Sequence, residues 1–177
     1  MQPGSNFSAS EWIVEKITGA QNLLPETLKA VENFTLMWNL FEDLLCPNNN
    51  ANIPALERLS SQIPNIEKNK QAIAPVFTYY KDRYCSGSGF NTLFVGLNFR
   101  SGNRREHVER ALRSDGHDFQ STIFAVMIIL YRIRNNLFHG LKSIDTLNDQ
   151  ATNLNFAAFA LTTIFEMHGG FARNGRS

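Results

Sequence analysis

One short segment concentrates the side chains that are most able to do chemistry: residues 130–142, which read LYRIRNNLFHGLK. It contains Arg132, Arg134 and His139. An arginine guanidinium is planar, permanently charged and able to form paired hydrogen bonds with a phosphate group. A histidine imidazole titrates near neutral pH, so it can act as a general acid or base. The segment therefore predicts a site that binds phosphate and transfers protons.

Helical geometry decides which of these side chains converge. Asn135 and His139 are four residues apart and share a helix face, and Arg132 and His139 are seven apart. Arg134 and His139 diverge by about 140° on an ideal helix. For those two to meet, the helix must unwind ahead of Gly140, or a second chain must complete the site.

Each residue also has a purely structural interpretation. The helix dipole favours a protonated His139 at a C-terminal end, and Arg134 can pair with an acid such as Glu42. Asn135 and Asn136 can be ordinary polar residues of a last helical turn. Burial of polar groups without partners is costly, so their clustering at the end of a very apolar helix favours a functional site.

The residues Arg134-Asn135-x-x-x-His139 resemble the Arg-x4-6-His signature of HEPN domains, including the polar residue directly after the arginine. Arg132 satisfies the longer spacing of the same signature. The apolar helix leading into the motif, and an early helix rich in aromatic residues, are similar to the core helices of that family. The resemblance is specific only within residues 131–142.

The resemblance implies a dimer in which two motifs form a composite RNA-cleaving site, without a metal ion or other cofactor. The products are a 2′,3′-cyclic phosphate and a 5′-hydroxyl. Such members belong to toxin–antitoxin, phage-defence and RNA-processing systems, so an antitoxin or defence partner is expected. The implied catalytic residues are Arg134, His139 and Asn135, the implied substrate-binding residues are Arg132, Asn136 and Lys142, and Glu42 is a possible acidic partner of Arg134.

Two other classes of function stay open. One is a catalytically inactive HEPN-like module that binds RNA, a nucleotide or a protein partner. The other is a nucleotide-binding accessory subunit beside a separate enzyme. Some toxin members carry a tyrosine shortly after the histidine, whereas this chain has Gly140, Leu141 and Lys142 there, which disfavours that subgroup.

The elements that must position these residues are helical. Helices are predicted over residues 8–20, 25–45, 54–63, 66–84, 104–113, 119–138 and 146–167, with a kink or break at Pro75. Residues 85–103 hold four glycines and three serines, which predicts a long loop with one helical turn at 92–95. No segment alternates with a period of two. We therefore predict an all-α antiparallel bundle of about five to seven helices.

Charge is distributed unevenly along the chain. Residues 1–70 hold five Lys/Arg and eight Asp/Glu, a net charge of −3, whereas residues 100–142 hold eight and four, a net charge of +4. Seven of those eight basic residues are arginines, which favours a phosphate-binding half. The alternative is that these arginines pair with nearby acids on helix surfaces.

Composition bounds the remaining possibilities. The chain has 177 residues, 43% of them hydrophobic and 19% charged, which predicts a single globular domain over residues 1–177 and excludes global disorder. Residues 170–177 are expected to fray. Cys46 and Cys85 have no metal-ligand spacing, and we see neither a signal peptide nor an apolar run of about 20 residues. We therefore expect a cytoplasmic protein with no metal, cofactor or membrane partner.

Overall fold

Eight α-helices and one short hairpin make up the part of the chain that the computed structural model describes, residues 7–87, 89–114, 118–138 and 146–169. The all-α prediction is confirmed. The count exceeds seven because the single turn α5 is included. The helices are α1 (Ala9–Lys16), α2 (Pro25–Leu45), α3 (Ile53–Gln62), α4 (Glu67–Tyr84), α5 (Thr92–Val95), α6 (Arg105–Arg113), α7 (Phe119–Phe138) and α8 (Ala151–His168), and the antiparallel hairpin pairs β1 (Cys85–Ser86) with β2 (Gly89–Phe90).

Local sequence signals set several helix ends. The Ser8 hydroxyl accepts a hydrogen bond from the Glu11 amide at 3.3 Å and begins α1. The Asn52 side chain accepts from the Ala55 amide at 3.0 Å and begins α3. Both contacts satisfy amides that lack a partner inside the helix. Gly169 has a φ of 74° and ends α8, in the left-handed conformation that glycine adopts at little cost.

Pro75 does not break its helix, so of the kink or break expected from the sequence the break is absent. Helix α4 continues from Glu67 through Pro75 to Tyr84. Pro75 and Gln71, whose carbonyl loses its helical partner, both lie on the exposed side of α4. Water can hydrate that carbonyl, so the cost of the missing N–H group is small enough for packing of the buried face to offset.

The core forms between α2, α7 and α8. Helix α2 packs along α8, and the ring of Phe41 meets the edge of Phe165 with centroids 6.4 Å apart. Helix α7 is buried at every residue from Thr122 to Leu130 and packs against α3, α4, α6 and α8. Tyr131 reaches Trp38 of α2 with ring centroids 6.4 Å apart. The central position of α7 fixes where its polar C-terminal end emerges.

Residues 85–103 are folded back onto the bundle around Phe94. This ring is buried and lies within 6.0 Å of Tyr84, 4.3 Å of Phe90 and 5.3 Å of Phe99, measured between centroids. The predicted helical turn is present as α5. The hairpin before it was not predicted, because strands of two residues are too short to show a period.

Among the residues described, every helix is too short or too polar to cross a lipid bilayer.

Replacing Phe41 by alanine tests the importance of the contact between α2 and α8. Phe41 is 1% exposed and lies against two aromatic rings. We expect Phe41→Ala to lower the free energy of unfolding by about 3–5 kcal/mol, measured by urea denaturation.

The control for this prediction lies on the same helix. Leu36 is 62% exposed, so Leu36→Ala should change the free energy of unfolding by less than about 0.5 kcal/mol. Equal losses in the two variants would contradict the assignment of α2's buried face.

Candidate functional site

The candidate site lies at the C-terminal end of α7. The structure describes this helix to Phe138, so Arg132, Arg134, Asn135 and Asn136 can be placed. His139 and Lys142, two of the residues predicted from the sequence, lie outside the described residues. The site is therefore built from the side chains that surround the end of the helix.

Arg134 is held at the edge of α7, with its side chain 28% exposed. Its Nη2 lies 3.7 Å from Glu42 Oε2, and its Nη1 donates a hydrogen bond to Asn135 Oδ1 at 3.1 Å. The guanidinium carbon lies 5.1 Å from the centre of the Phe138 ring, within the range of a cation–π contact. Its Nε is buried and has no hydrogen-bond partner among the described residues. Arg134 is thus oriented by three neighbours and retains an unused donor.

Glu42 is positioned by the backbone of another segment. Its Oε1 accepts a hydrogen bond from the Ala51 amide at 3.2 Å, which leaves Oε2 directed at Arg134. The carboxylate also lies beside Cys46, the residue that follows α2. Burial raises the pKa of the Cys46 thiol to about 12, and the negative charge of Glu42 adds to the rise. Glu42 therefore places a carboxylate next to Arg134, and it adds to the effect of burial that keeps the neighbouring thiol protonated.

Arg132 is in a different environment from Arg134, although only two residues separate them. It is 2% exposed. Its Nε donates to the carbonyl of Leu97 at 3.0 Å, its Nη2 to the carbonyl of Asn98 at 2.7 Å, and its Nη1 to the side chain of Asn103 at 3.1 Å. Burial lowers the pKa of this guanidinium from its ordinary value, and the Arg100 cation lowers it further.

Asn136 joins the same network. Its Nδ2 donates to the carbonyl of Gly96 at 2.9 Å, and its Oδ1 accepts from Arg132 Nη2 at 3.4 Å. Asn135, also buried, accepts from Arg134 instead. Arg132 and Asn136 together tie the segment after α5 to α7.

These contacts change the roles expected for two residues. The sequence predicted Arg132 and Asn136 as substrate-binding, but here their donors are taken up by backbone carbonyls and Asn103. A buried guanidinium whose donors are already hydrogen-bonded cannot bind a phosphate group unless residues 96–103 move away from it. Here both residues hold the loop, and their substrate-binding role stays a prediction. Arg134 is the described arginine of the motif that remains partly accessible.

Three of the other five arginines of the basic segment pair with an acid or stack on a ring. Arg104 lies 3.8 Å from Glu57, and Arg105 lies 2.8 Å from Glu109. Arg113 stacks over the ring of Phe90 at 4.9 Å. The alternative that these arginines pair with nearby acids therefore holds for part of the cluster. The net charge alone overstates how many of them are free to bind phosphate.

Sequence reasoning missed three contributors near the end of α7. Phe138 was not singled out, although an aromatic residue four positions after an arginine on a helix is placed to stack on it. Arg83 of α4 and Asn153 of α8 both line a cavity against the last turns of α7. The available signal for Asn153 was a polar residue on the face of α8 that also carries Leu154 and Ala157.

Within the described ranges, no three His, Cys, Asp or Glu side chains come together as a metal-binding group. Comparison of the chain with protein-family models, with curated proteins and with solved structures finds no match.

Replacing Arg132 by lysine tests its positioning role. Lysine keeps the charge but lacks the fork that reaches three partners at once. We expect Arg132→Lys to lower the free energy of unfolding by about 2–4 kcal/mol, and to speed amide hydrogen exchange at residues 96–103.

Arg104→Lys is the matched control for this experiment. Arg104 is exposed and makes a single long contact with Glu57, so its replacement should leave both measurements nearly unchanged. Unchanged exchange at 96–103 in Arg132→Lys would contradict the proposed attachment of the loop.

The two cysteines should differ in reactivity towards iodoacetamide. With a pKa of about 12, Cys46 has a thiolate fraction on the order of 10⁻⁴ at pH 8. The pKa of Cys85 is raised by burial, but the Lys81 and Arg113 cations oppose the rise.

We expect mass spectrometry of the native protein to show Cys85 modified at least about tenfold faster than Cys46, and both rates to increase with pH. Equal rates would mean that the end of α2 opens. Denatured protein serves as the control, in which the difference should disappear.

Proposed function

We propose that this chain is an endoribonuclease of the HEPN type that cleaves RNA without a metal ion. The observation that carries the proposal is the state of Arg134. This arginine belongs to the Arg-x4-6-His spacing and is held in place by Glu42, Asn135 and Phe138. Its side chain keeps partial exposure, at 28%, as a residue that contacts a phosphate requires.

The chemistry uses the nucleophile that RNA itself carries. Neutral His139 takes the proton from a ribose 2′-hydroxyl, and the resulting oxygen attacks the adjacent phosphorus. The bond from phosphorus to the 5′-oxygen breaks, and the imidazolium formed at His139 gives its proton to this leaving oxygen. The products are a 2′,3′-cyclic phosphate and a 5′-hydroxyl, so no water or metal enters the step.

Arg134 stabilises the negative charge that grows on the phosphorane oxygens. A side chain that is already oriented performs this task at a lower entropic cost than a free one. Glu42 and Phe138 supply that orientation, because each contacts the guanidinium from a different side. Asn135 holds the guanidinium of Arg134 from a third direction, by accepting a hydrogen bond from its Nη1. We therefore treat Glu42 and Asn135 as positioning residues rather than groups that touch RNA.

The active form in this proposal is a homodimer with a composite site. Arg134 and His139 are five residues apart, a spacing that on a regular helix separates them by about 140°. Two chains placed end to end at α7 bring an arginine of one next to a histidine of the other. Phe138, which is 51% exposed beside Arg134, supplies apolar surface for that contact. The setting we propose is a cytoplasmic toxin or phage-defence system with an antitoxin or defence partner.

The test is cleavage of a labelled RNA oligonucleotide by the purified chain with a chelator present. We expect product ends with a cyclic phosphate. His139→Ala should reduce the rate by at least about 10²-fold, because proton transfer loses its carrier. Arg134→Ala should reduce it by about 10²–10³-fold, because the phosphorane loses a charged donor.

The control variants are His107→Ala and Arg110→Ala, which remove the same side-chain types from α6 and should keep the rate. Mixing the two inactive variants tests the composite site: reassorted dimers should recover about a quarter of the activity. RNA binding without cleavage by folded wild-type protein would contradict the proposal in favour of an inactive binding module.

A further inference from the structure

A cavity of about 90 Å³ lies against the last turns of α7. Helix α4 contributes Arg83, the segment around α5 contributes Leu93 and Gly96, and α8 contributes Asn153 and Leu154. Leu93 is 45% exposed, so the cavity reaches the surface along its side. Neither the motif nor the proposed chemistry accounts for this feature.

Two buried polar groups at this cavity lack partners. Asn153 is 4% exposed, and its Oδ1 has no hydrogen-bond partner among the described residues. The Nε of Arg83 is buried and equally without a partner. Such groups cost free energy to bury, and most in folded proteins are satisfied. An acceptor and a cationic donor that face one cavity point to a ligand with complementary hydrogen-bonding groups.

The surroundings of Arg83 disfavour a bare phosphate as that ligand. Asn153 presents an unused acceptor oxygen to the cavity, which repels an anion. Burial raises the pKa of the adjacent Tyr84 hydroxyl, against the effect of the Arg83 cation, so the tyrosine remains neutral. The other walls are mainly apolar, with the side chains of Thr92, Asn136 and Gln150 among leucine and isoleucine residues: Leu93, Leu97, Ile133, Leu137, Leu147 and Leu154. Apolar walls with a few convergent polar groups suit a flat, uncharged ring.

The size of the cavity selects among such rings. A cavity of about 150 Å³ encloses a benzene molecule completely. A cavity of about 90 Å³ with a side open to solvent therefore admits one six-membered ring by its edge, but not a fused purine. Every pyrimidine base carries adjacent donor and acceptor groups on its Watson–Crick edge.

We propose that this cavity is a base-binding subsite that takes a pyrimidine of single-stranded RNA, with its edge hydrogen-bonded to Asn153 and Arg83. This inference rests on the proposed function, since the ring arrives as part of the RNA that is cut. Arg134 and the cavity lie on different sides of the same helix end, and a helix with its side chains is only about 10–12 Å across. In this proposal a nucleotide near the scissile phosphate places its base in the cavity.

Binding is measured separately from cleavage with oligonucleotides that lack the nucleophile. Fluorescein-labelled 2′-O-methyl hexamers of uridine, cytidine and adenosine are titrated with the full chain, and the dissociation constants are read by anisotropy. We expect the pyrimidine hexamers to bind about tenfold more tightly than the adenosine hexamer, because the purine is excluded by size.

The decisive variant is Asn153→Leu, which replaces the unpartnered amide with an apolar group of similar size. We expect it to remove the pyrimidine preference while the melting temperature stays the same or rises, because no internal hydrogen bond is lost. Asn155→Leu, on the exposed side of α8, is the matched control and should keep the preference. Arg83→Gln should weaken pyrimidine binding while the protein remains folded.

The outcomes separate this inference from the proposed function. Pyrimidine preference that depends on Asn153, in a protein that never cleaves RNA, supports the subsite and overturns the nuclease. Cleavage with no base preference on either side of the cut, unchanged in Asn153→Leu, overturns the subsite and leaves the nuclease standing. Equal binding of all three hexamers means that the cavity holds only water, and the inference is then wrong.

Discussion

The end of α7 depends on the burial of one charge, that of Arg132. A guanidinium taken out of water must have its donors satisfied, or the helix end would be unstable. The carbonyls of Leu97 and Asn98 and the side chain of Asn103 meet that demand. These contacts hold residues 96–103 against the bundle. Asn136 strengthens the attachment by donating a hydrogen bond to the carbonyl of Gly96. The loop is therefore a structural wall of the site.

That attachment separates three sides of a single helix end. Arg132 and Asn136 face the loop, Arg134 faces Glu42 on α2, and Ile133 and Leu137 line the cavity. The three sides differ in their chemistry. On the first side, the buried charge of Arg132 is satisfied by the loop. On the second, Arg134 is a partly exposed cation, and on the third, the cavity is lined by residues with polar groups that lack hydrogen-bond partners. If RNA binds as we propose, the second side meets the phosphate and the third meets a base.

Much of the fold follows from local sequence patterns. Amphipathic spacing located α2 and the apolar run located α7, because burial of one helix face is the main force on these segments. The capping hydroxyl of Ser8 and the glycine at position 169 are local signals that stand at helix ends. The sequence did not decide whether Pro75 breaks α4. The effect of a proline depends on whether water reaches the carbonyl that it leaves unpaired, and this is a property of the packed helix.

The sequence by itself determined that the side chains most able to do chemistry, those of arginine, asparagine and histidine, are concentrated in residues 130–142. Only the tertiary structure decided between Arg132 and Arg134, since both satisfy the spacing and the two side chains are identical. Their difference comes from neighbours far along the chain, Leu97 and Asn98 for one and Glu42 for the other. Burial is a property of packing between elements, so a local motif does not contain it. The cavity has the same origin, because Arg83 and Asn153 meet only through the packing of α4 and α8.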